Sequence, residues 1–386
     1  LTMDGADDRY RIFVADSGLQ WQGAAYLATD CPPETRVERA RDRILNDFVF
    51  PFVNSGADVL IFRIDAGNQF LCYDTAVGEP ATEIQARLES EYGLTPRAAG
   101  GPEYVSFPHA LGWWCLAKNF RLFKEYGFDP WTAIIEAAHT KGIEVFLELQ
   151  INRADTPIHY RDGSEVPGSR FAFEHSEYLL GYDCHRTDLV GTESEKYRAM
   201  YQSPAPDGDT HTRPETAFCQ RLDFGRSEVR ELRLATIEEL CRRYEIDGLE
   251  INFCFDPHFF RQDQVDGAQI MSEFMSSAKA TMNSIGHERG RAIQLLARFF
   301  AHKGLEYLHH QVGLDVSRWI AEKSVDILAP VGSTTATEHA NRVAECVAAA
   351  RGSDCQVLAS ISEIMSDQFT QIRPSTEMLQ AANSLY

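Results

Sequence analysis

The sequence predicts an α/β protein of the (β/α)₈ TIM-barrel class, with two long βα loops and a final strand that is missing from the chain. Seven short apolar runs predict strands near residues 12, 60, 145, 250, 295, 327 and 358. Amphipathic helical patterns alternate with them, which is typical of a parallel sheet with helices packed outside it. The stretch 375–386 has a helical pattern that would lead into an eighth strand, the number that closes this barrel.

The predicted strands are short and apolar, and the second shows the basis of the assignment most clearly. Residues 57–63, Ala-Asp-Val-Leu-Ile-Phe-Arg, form a near-continuous apolar run, as expected for a parallel strand that is buried on both faces. The other strands are predicted at residues 10–16, 142–149, 246–253, 292–298, 325–330 and 356–361.

The predicted helices place apolar residues on one face at spacings of three and four. In the first helix Val37, Ala40, Ile44 and Phe48 share such a face, and Gly56 follows its end. Helical patterns cover residues 35–53, 81–92, 116–141 with an interruption near Gly127, 227–244, 271–285, 316–323, 338–350 and 375–386.

The whole chain, residues 1–386, is expected to form a single catalytic barrel domain. Two irregular stretches, at about residues 66–115 and 153–222, are predicted loop insertions, because such long irregular segments in a compact domain are usually functional. An open doubly wound sheet is the structural alternative. It is disfavoured because no G-x-G-x-x-G motif follows the first strand and no P-loop motif occurs in the chain.

Charge and composition exclude several classes of partner. The 386 residues include 37 Lys and Arg against 57 Asp and Glu, a formal net charge of −20. An acidic surface repels phosphate backbones, so no nucleic-acid partner is expected. No apolar run approaches the roughly 18 residues of a membrane span, so no membrane partner is expected. The sequence predicts no cofactor and leaves the oligomeric state open.

The nine cysteines are odd in number, scattered and free of C-x-x-C pairs, which argues against zinc-ribbon and thioredoxin folds. Histidine spacings match no metal signature such as H-E-x-x-H, so no metal site is predicted. Cysteines without a disulfide framework favour a reducing compartment such as the cytoplasm, whereas a leader removed before Leu1 would mean secretion. The localisation is therefore left open.

Glu250 is the first candidate for a catalytic residue. In a barrel, function gathers at the carboxyl ends of the strands, and Glu250 lies near the end of the fourth predicted strand. A carboxylate inside an apolar strand is costly unless it has a partner. Strand alternation places Glu250 on one face with Asn252 and Cys254. A structural glutamate paired with an arginine such as Arg63 or Arg298 is the alternative interpretation.

A glycosidase needs a second carboxyl group besides Glu250. Glu363 follows the seventh predicted strand. Glu250 and Glu363 together resemble the strand-four and strand-seven glutamates of many retaining barrel glycosidases. Glu363 could equally be a helix-entry residue or an exposed loop charge. Glu148, in the third strand, is a further catalytic candidate, and Asp256, beyond the fourth strand, comes after it.

The predicted substrate-binding residues are polar or aromatic side chains near strand ends or in the long loops. Arginine, carboxylate and amide groups at one rim suit sugar hydroxyls, and a tryptophan face suits a sugar ring, although tryptophan is also common in cores. The candidates are Asp16, Arg63, Asp65, Trp113, Asn152, Arg153, His159, Asn252, Asp256 and Arg298.

A family resemblance extends from about Ala57 to the end of the chain, outside the two long loops, and two stretches carry its most specific part. Residues 222–230, Leu-Asp-Phe-Gly-Arg-Ser-Glu-Val-Arg, and 243–253, Arg-Tyr-Glu-Ile-Asp-Gly-Leu-Glu-Ile-Asn-Phe, resemble the "L-D-x-x-x-P-E-V-R" and "R-Y-D-V-D-G-I-E-L-D-F" patterns of glycosyl-hydrolase-like family 10 barrels and their bacterial relatives. Asn252 stands where relatives often have Asp, and Arg153 follows Asn152 where Asp is common. The resemblance implies a glycosidase-like barrel and carries over Glu250.

These observations predict a glycoside hydrolase that cleaves an oligo- or polysaccharide through two carboxylates at the carboxyl-end rim of the barrel. Two other functions stay open at this stage. One is a carbohydrate-binding barrel without catalysis. The other is a barrel lyase or isomerase that uses Arg298 and the acidic residues with a divalent metal, since this fold hosts many chemistries.

Overall fold

The computed structural model describes the greater part of the chain, and all structural statements concern that part. The described residues are 11–16, 32–53, 55–65, 70–83, 110–152, 158–159, 165–166, 171, 174–180, 221–254, 259–261, 264–301, 303–331 and 336–360.

Among the described elements, the seven strands of the largest sheet are each separated along the chain by one or two α-helices, and four further strands are short. The strands are β1 (Phe13–Asp16), β2 (Val59–Arg63), β3 (Phe70–Leu71), β4 (Glu79–Pro80), β5 (Glu144–Gln150), β6 (Ile158–His159), β7 (Glu165–Val166), β8 (Gly248–Asn252), β9 (Gln294–Phe300), β10 (Ile327–Val331) and β11 (Gln356–Val357). The α-helices are α1 (Arg36–Phe48), α2 (Ala110–Glu125), α3 (Pro130–His139), α4 (Ser227–Arg243), α5 (Gly267–Arg289), α6 (Leu305–Tyr307), α7 (Val316–Ala321) and α8 (Ala336–Ala350). Single 3₁₀ turns are Pro33–Thr35, Phe50–Phe52, Ala81–Glu83 and Ser176–Tyr178, and Leu308–Val312 is a π-helical turn.

Seven of the strands form one parallel sheet in the order β1-β2-β5-β8-β9-β10-β11. All seven predicted strands are therefore confirmed. Their order in the sheet is their order along the chain, without the reversal that an open doubly wound sheet requires, so that alternative is excluded. Within the described residues the sheet has seven strands, and closure by an eighth stays a prediction.

The sheet curls so that its two edges approach the same interior. Val59, Ile61, Phe146, Leu296, Ile327 and Ala329 form a buried cluster on one face, and Phe13 and Leu358 pack against it. Phe13 lies in β1 and Leu358 directly follows β11, which are the opposite edges of the sheet. The side chain of Arg11, just before β1, also donates a hydrogen bond to Oε1 of Gln294 at 3.4 Å. Gln294 begins β9, and three strands lie between β1 and β9 in the sheet order.

The interior is filled at its amino end by the ring of Phe146. A Cβ atom at Gly248 would lie 2.4 Å from this ring, so the neighbouring strand can carry only glycine there without rearrangement. The opposite face of the strands packs against the helices in a larger buried cluster. Its strand members include Leu60, Phe62, Leu147, Leu249, Leu295 and Leu328, and its helix members include Ile44, Ile134, Ile237 and Met275.

Aspartates at the amino end of the sheet fix the register of three strand pairs. Each lies just before a strand. Its Oδ2 accepts a hydrogen bond from a backbone N–H near the start of the adjacent strand that comes earlier in the sheet order. The pairs are Asp58 with Ile12 at 2.8 Å, Asp247 with Val145 at 2.8 Å and Asp326 with Leu295 at 2.6 Å. Asp247 also contacts His139 and Arg291, each at 2.7 Å. Carboxylates that bond across neighbouring strands therefore hold this end of the sheet, and both oxygens of Asp247 are engaged.

The helices agree with the predicted ones apart from their ends. The predicted break near Gly127 is confirmed, because α2 ends at Glu125, Gly127 has φ +63°, and the Asp129 side chain caps α3 by accepting from the Trp131 and Thr132 amides. The helix α2 begins at Ala110, so it occupies the end of the predicted insertion 66–115. The predicted helix 81–92 is described only as the turn Ala81–Glu83, and the predicted helix 375–386 lies outside the described residues.

No described helix is both long enough and apolar enough to cross a membrane.

Candidate active site

Polar side chains from four neighbouring strands face the interior above the apolar cluster. The register aligns Arg63 of β2 with Glu148 of β5, and Glu148 with Glu250 of β8. One level nearer the carboxyl end, Asn252 aligns with Gln150 and with Arg298 of β9. Alternation puts these residues on the same face as Ile61 and Phe146, which lie one level below Arg63 and Glu148, and as Leu296, which aligns with Glu250. The interior therefore changes from apolar to charged toward the end where barrel active sites lie.

Glu250 is fully buried, and its two oxygens have different surroundings. Oε2 accepts a hydrogen bond from Nη2 of Arg298 at 2.7 Å. Oε1 has no hydrogen-bond partner among the described residues. Burial raises the pKa of Glu250 to about 7; the Arg298 guanidinium opposes this rise, and the nearby Glu148 adds to it. The carboxyl group is therefore poised to exchange a proton near neutral pH.

Glu148 is also fully buried, but amide donors surround it. Its Oε1 accepts from Nδ2 of Asn252 at 2.9 Å and from Nε2 of Gln150 at 3.4 Å. Oδ1 of Asn252 in turn accepts from the Cys254 backbone N–H at 2.8 Å, which directs the amide nitrogen at Glu148. An aspartate at position 252 would add a third carboxylate to those of Glu148 and Glu250, and it could not donate a hydrogen bond to Glu148. The asparagine is therefore physically suited to this position.

Arg298 provides positive charge beside the two glutamates. Burial lowers the pKa of its guanidinium, but Glu250 and Glu148 outweigh burial and leave that pKa above its ordinary value. Arg298 therefore stays charged. One guanidinium next to two carboxyl groups is balanced when one of the two glutamates holds a proton, which agrees with the raised pKa of Glu250.

Arg63 and Asp65 form a buried ion pair next to Glu148. Nε and Nη2 of Arg63 donate to Oδ1 of Asp65 at 3.2 and 3.0 Å, and the Gln150 backbone N–H donates to Oδ2 at 2.7 Å. Arg233 of α4 is buried nearby; burial lowers its pKa to about 10, and the charge of Asp65 opposes this fall. Asp65 thus ties the end of β2 to β5 and fixes the direction of Arg63.

The structure brings together six of the residues predicted from the sequence, namely Arg63, Asp65, Glu148, Glu250, Asn252 and Arg298. Asn152 is buried, and its Oδ1 accepts from the Leu222 backbone N–H at 2.8 Å. Asp16 aligns with Phe62 in the sheet, Trp113 lies in α2 and His159 in β6. Arg153, Asp256 and Glu363 lie outside the described residues.

Gln150 and Gly248 belong to this site although neither is among the residues predicted for it. The alternation that places Glu148 on the inner face also places Gln150 there, so the same pattern could identify it. Gly248 acts through the space that it leaves for Phe146. No sequence pattern identifies that role, because it depends on a contact between strands distant in the chain.

Among the described residues, no group of three or more His, Cys, Asp or Glu side chains is arranged to hold a metal ion. A cavity of about 110 Å³ lies between the chain after β8 and the π-helical turn; its lining includes Phe259, Phe260, Gln264, His309 and His310. The imidazoles of His309 and His310 stack with centroids 4.4 Å apart.

No protein-family model matches the chain, and comparison with curated proteins finds no match. Several solved structures show a partial similarity to the chain. An α-L-fucosidase from Paenibacillus thiaminolyticus is 11% identical with a TM-score of 0.39, and the match covers 97% of this chain and 48% of that one. A maltogenic α-amylase from Thermotoga neapolitana is 10% identical with a TM-score of 0.35, covering 83% and 49%.

A β-N-acetylhexosaminidase from Streptomyces coelicolor A3(2) is 13% identical with a TM-score of 0.31, and the match covers 90% of this chain and 47% of that one. The chain thus spans about half of the length of these neighbours. At such identities and TM-scores the similarity establishes neither a shared family nor a shared reaction. Membership of glycosyl-hydrolase-like family 10 stays a prediction, and the chemistry rests on the residues of the site.

Proposed function

We propose that this protein is a glycoside hydrolase that cleaves an oligo- or polysaccharide, with Glu250 as the general acid and base. The observation that carries the proposal is the state of Glu250. Its carboxyl group is fully buried in the middle of the parallel strand β8, Arg298 holds one oxygen, and the other has no partner among the described residues. Buried carboxyl groups with perturbed pKa values cluster at active sites.

The charge balance around Glu250 supports the role of general acid. Such an acid must keep its proton until the leaving group accepts it, and a pKa of about 7 keeps Glu250 largely protonated in weakly acidic solution. With Arg298 on Oε2, the proton belongs on Oε1, the oxygen without a described partner. Oε1 would then donate its proton to the glycosidic oxygen.

Glu148 is proposed as the second carboxylate. Asn252 and Gln150 donate to its Oε1, which holds the carboxyl group in a fixed orientation, as a nucleophile or base requires. Glu148 and Glu250 are register partners on adjacent strands, which lie about 4.8 Å apart. Neighbouring positions on adjacent strands allow the two carboxyl groups to lie about 5–5.5 Å apart, the separation found in retaining glycosidases, so we propose retention of anomeric configuration.

A closed eight-stranded barrel in a single domain is part of the same proposal. Phe13 from one edge strand and Leu358 beyond the other pack on one interior cluster, which leaves the two edges of the sheet close together. An eighth strand between them would satisfy both exposed edges and complete a wall around Glu148 and Glu250.

The test is a screen of aryl glycosides and polysaccharides with the wild-type protein and the variants E250Q, E148Q, E148A and E363A. We expect hydrolysis by the wild type and a loss of about 10²–10⁴-fold in kcat/KM for E250Q, the usual contribution of a general acid. E148Q should be similarly impaired. In E148A the truncated side chain leaves space for azide, which should attack the anomeric carbon of activated aryl glycosides, release the aryl alcohol and form a glycosyl azide. If E363A forms the glycosyl azide and E148A does not, Glu363 is the second carboxylate and the assignment of Glu148 is wrong.

The pH dependence gives an independent check on Glu250. The wild-type kcat/KM should fall as the pH rises through about 7, because Glu250 loses the proton that it must donate. Full activity of E250Q on unactivated substrates would refute the role of Glu250. Absence of hydrolysis by the wild type on every sugar class would refute the proposed function.

A further inference from the structure

A short segment on the carboxyl-end side of the sheet joins the chain that follows β5 to the chain that follows β8. This segment, residues 221–226, is named the clasp. Three of its backbone N–H groups bond outside it, and its first carbonyl accepts one further bond, each at 2.8 Å. The bonds are Leu222 N–H to Oδ1 of Asn152, Asp223 N–H to the Tyr178 carbonyl, Phe224 N–H to the Phe259 carbonyl, and Leu180 N–H to the Arg221 carbonyl.

Asp223 and Arg261 form the centre of the clasp. Asp223 is 2% exposed, and its Oδ2 accepts from Nε of Arg261 at 2.9 Å, while Oδ1 accepts from the Gly225 backbone N–H at 2.9 Å. Nη2 of Arg261 donates to the Leu179 carbonyl at 3.0 Å. One guanidinium therefore links the clasp, the segment 174–180 and the chain after β8.

The geometry leaves little freedom around this pair. A Cβ at Gly225 would lie 2.9 Å from Oδ1 of Asp223 and 2.8 Å from Oε1 of Gln264, so the turn closes tightly over the carboxylate. The rings of Phe224 and Phe259 meet edge to face with centroids 5.9 Å apart. The burial of Asp223 strengthens the hydrogen bonds that its carboxylate accepts, because little water reaches it.

The clasp reaches the two strands that carry the glutamates of the proposed mechanism. Asn152 follows β5, the strand of Glu148, and Phe259 and Arg261 follow β8, the strand of Glu250. Phe259 also contacts Phe253, the residue after β8, with ring centroids 5.5 Å apart. A change in the clasp would therefore be transmitted to the ends of β5 and β8.

We propose that Asp223 and Arg261 are positioning residues, which hold the ends of β5 and β8 so that Glu148 and Glu250 keep their reactive separation. This inference rests on the proposed function. Neither residue lies among the interior-facing side chains, and both act through backbone contacts. The reaction is sensitive to such positioning, since a displacement of about 1 Å can cost about 10²-fold in rate.

The experiment compares R261A and R261K with a matched control, R291A. Arg261 and Arg291 have similar side-chain exposures of 29% and 32%, and each pairs with an aspartate, at 2.9 and 2.7 Å. Arg291 pairs with Asp247 at the amino end, away from the proposed chemistry.

We expect R261A to lower kcat at least about 10-fold while KM changes less than about threefold. R261K should be intermediate, since lysine keeps the charge but lacks the fork that spans Asp223 and Leu179. R291A should keep kcat within about twofold.

A second measurement does not depend on turnover. The titration midpoint of the Glu250 carboxyl group, followed by ¹³C NMR and assigned with E250Q, reports its surroundings, and it should move in R261A but not in R291A. An unchanged kcat with a raised KM in R261A would overturn the proposal, as would an unmoved midpoint or equal kcat losses in R261A and R291A. A wild type without glycosidase activity would refute the proposed function, and the titration would still test the clasp.

Discussion

The carboxylates at the two ends of the sheet are held in different ways. At the amino end, Oδ2 of Asp247 accepts from the Val145 N–H at 2.8 Å and contacts His139 at 2.7 Å, and Oδ1 pairs with Arg291 at 2.7 Å. At the carboxyl end, Glu250 is more deeply buried, but only its Oε2 has a partner among the described residues. An aspartate with both oxygens engaged holds the strand register, whereas a buried glutamate with one engaged oxygen suits proton transfer.

The largest expected difference between the two ends is in activity. E250Q should lose about 10²–10⁴-fold in kcat/KM on oligosaccharides, because no acid protonates the leaving group. The loss should shrink on dinitrophenyl glycosides, whose leaving group needs no proton. D247N should keep kcat/KM within about twofold, since Asp247 lies at the opposite end of the strand from the proposed chemistry. Steady-state kinetics on both substrate classes measure this, and equal losses in the two variants would contradict the contrast.

The second expected difference is in stability. Here the larger effect is expected at the amino end of the sheet, at Asp247. D247A should lower the free energy of unfolding by about 3 kcal/mol, because Val145, Arg291 and His139 all lose an acceptor at a largely buried position. Urea denaturation measures this loss. E245A is the matched control, because Glu245 is 65% exposed and pairs with the same Arg291. Its loss should stay below about 1 kcal/mol. Equal losses in the two variants would argue against the register role.

The pH dependence of stability distinguishes Glu250 from the engaged aspartates. Its pKa rises from an ordinary value of 4.5 in the unfolded chain to about 7 in the folded protein. Its stabilising contribution is therefore fully present below pH 4.5 and is lost as the pH rises through about 7. The lost contribution is at most about 3 kcal/mol.

E250Q cannot ionise, so its free energy of unfolding should lack this decline. Urea titrations of both proteins between about pH 5 and pH 8 measure the difference. Parallel curves for wild type and E250Q would show that the pKa of Glu250 is not raised.

The smallest expected effect concerns the apolar layer beneath the glutamates. G248A should destabilise the protein by about 2 kcal/mol, because the new methyl group collides with the Phe146 ring, 2.4 Å from its Cβ position. The double variant G248A/F146L should recover part of this loss, since leucine vacates the space. Thermal unfolding of the three variants, F146L included, completes a double-mutant cycle. Additive losses would show that the two positions do not interact.

The strands could be predicted because their sequences are locally informative. The residues 57–63 are apolar almost throughout, and β2 lies within them, buried along its length. The ends of helices were less predictable. The helix α2 begins at Ala110, inside a predicted loop. The predicted helix begins only at residue 116, because regular apolar spacing is recognised only from there.

The site was predictable to the extent that alternation places polar residues on one face. The costly position of Glu250 within an apolar strand identified it. Its pairing with Arg298 was expected only under the alternative interpretation, in which Glu250 is a structural residue. The bonds of Asn152 to Leu222 and of Asp223 to Arg261 could not be foreseen, because they join loops whose approach no local pattern encodes.

By itself, the sequence determined the alternation of strands and helices, the parallel character of the sheet and the candidacy of Glu250. These follow from the spacing of apolar residues and from the cost of a charge in an apolar strand, which are both local. Only the tertiary structure decided the register that sets Glu148 beside Glu250, the pairing with Arg298 and the fit of Phe146 over Gly248. These depend on distances between strands far apart in the chain, and burial of the two glutamates in one interior raises the pKa of Glu250.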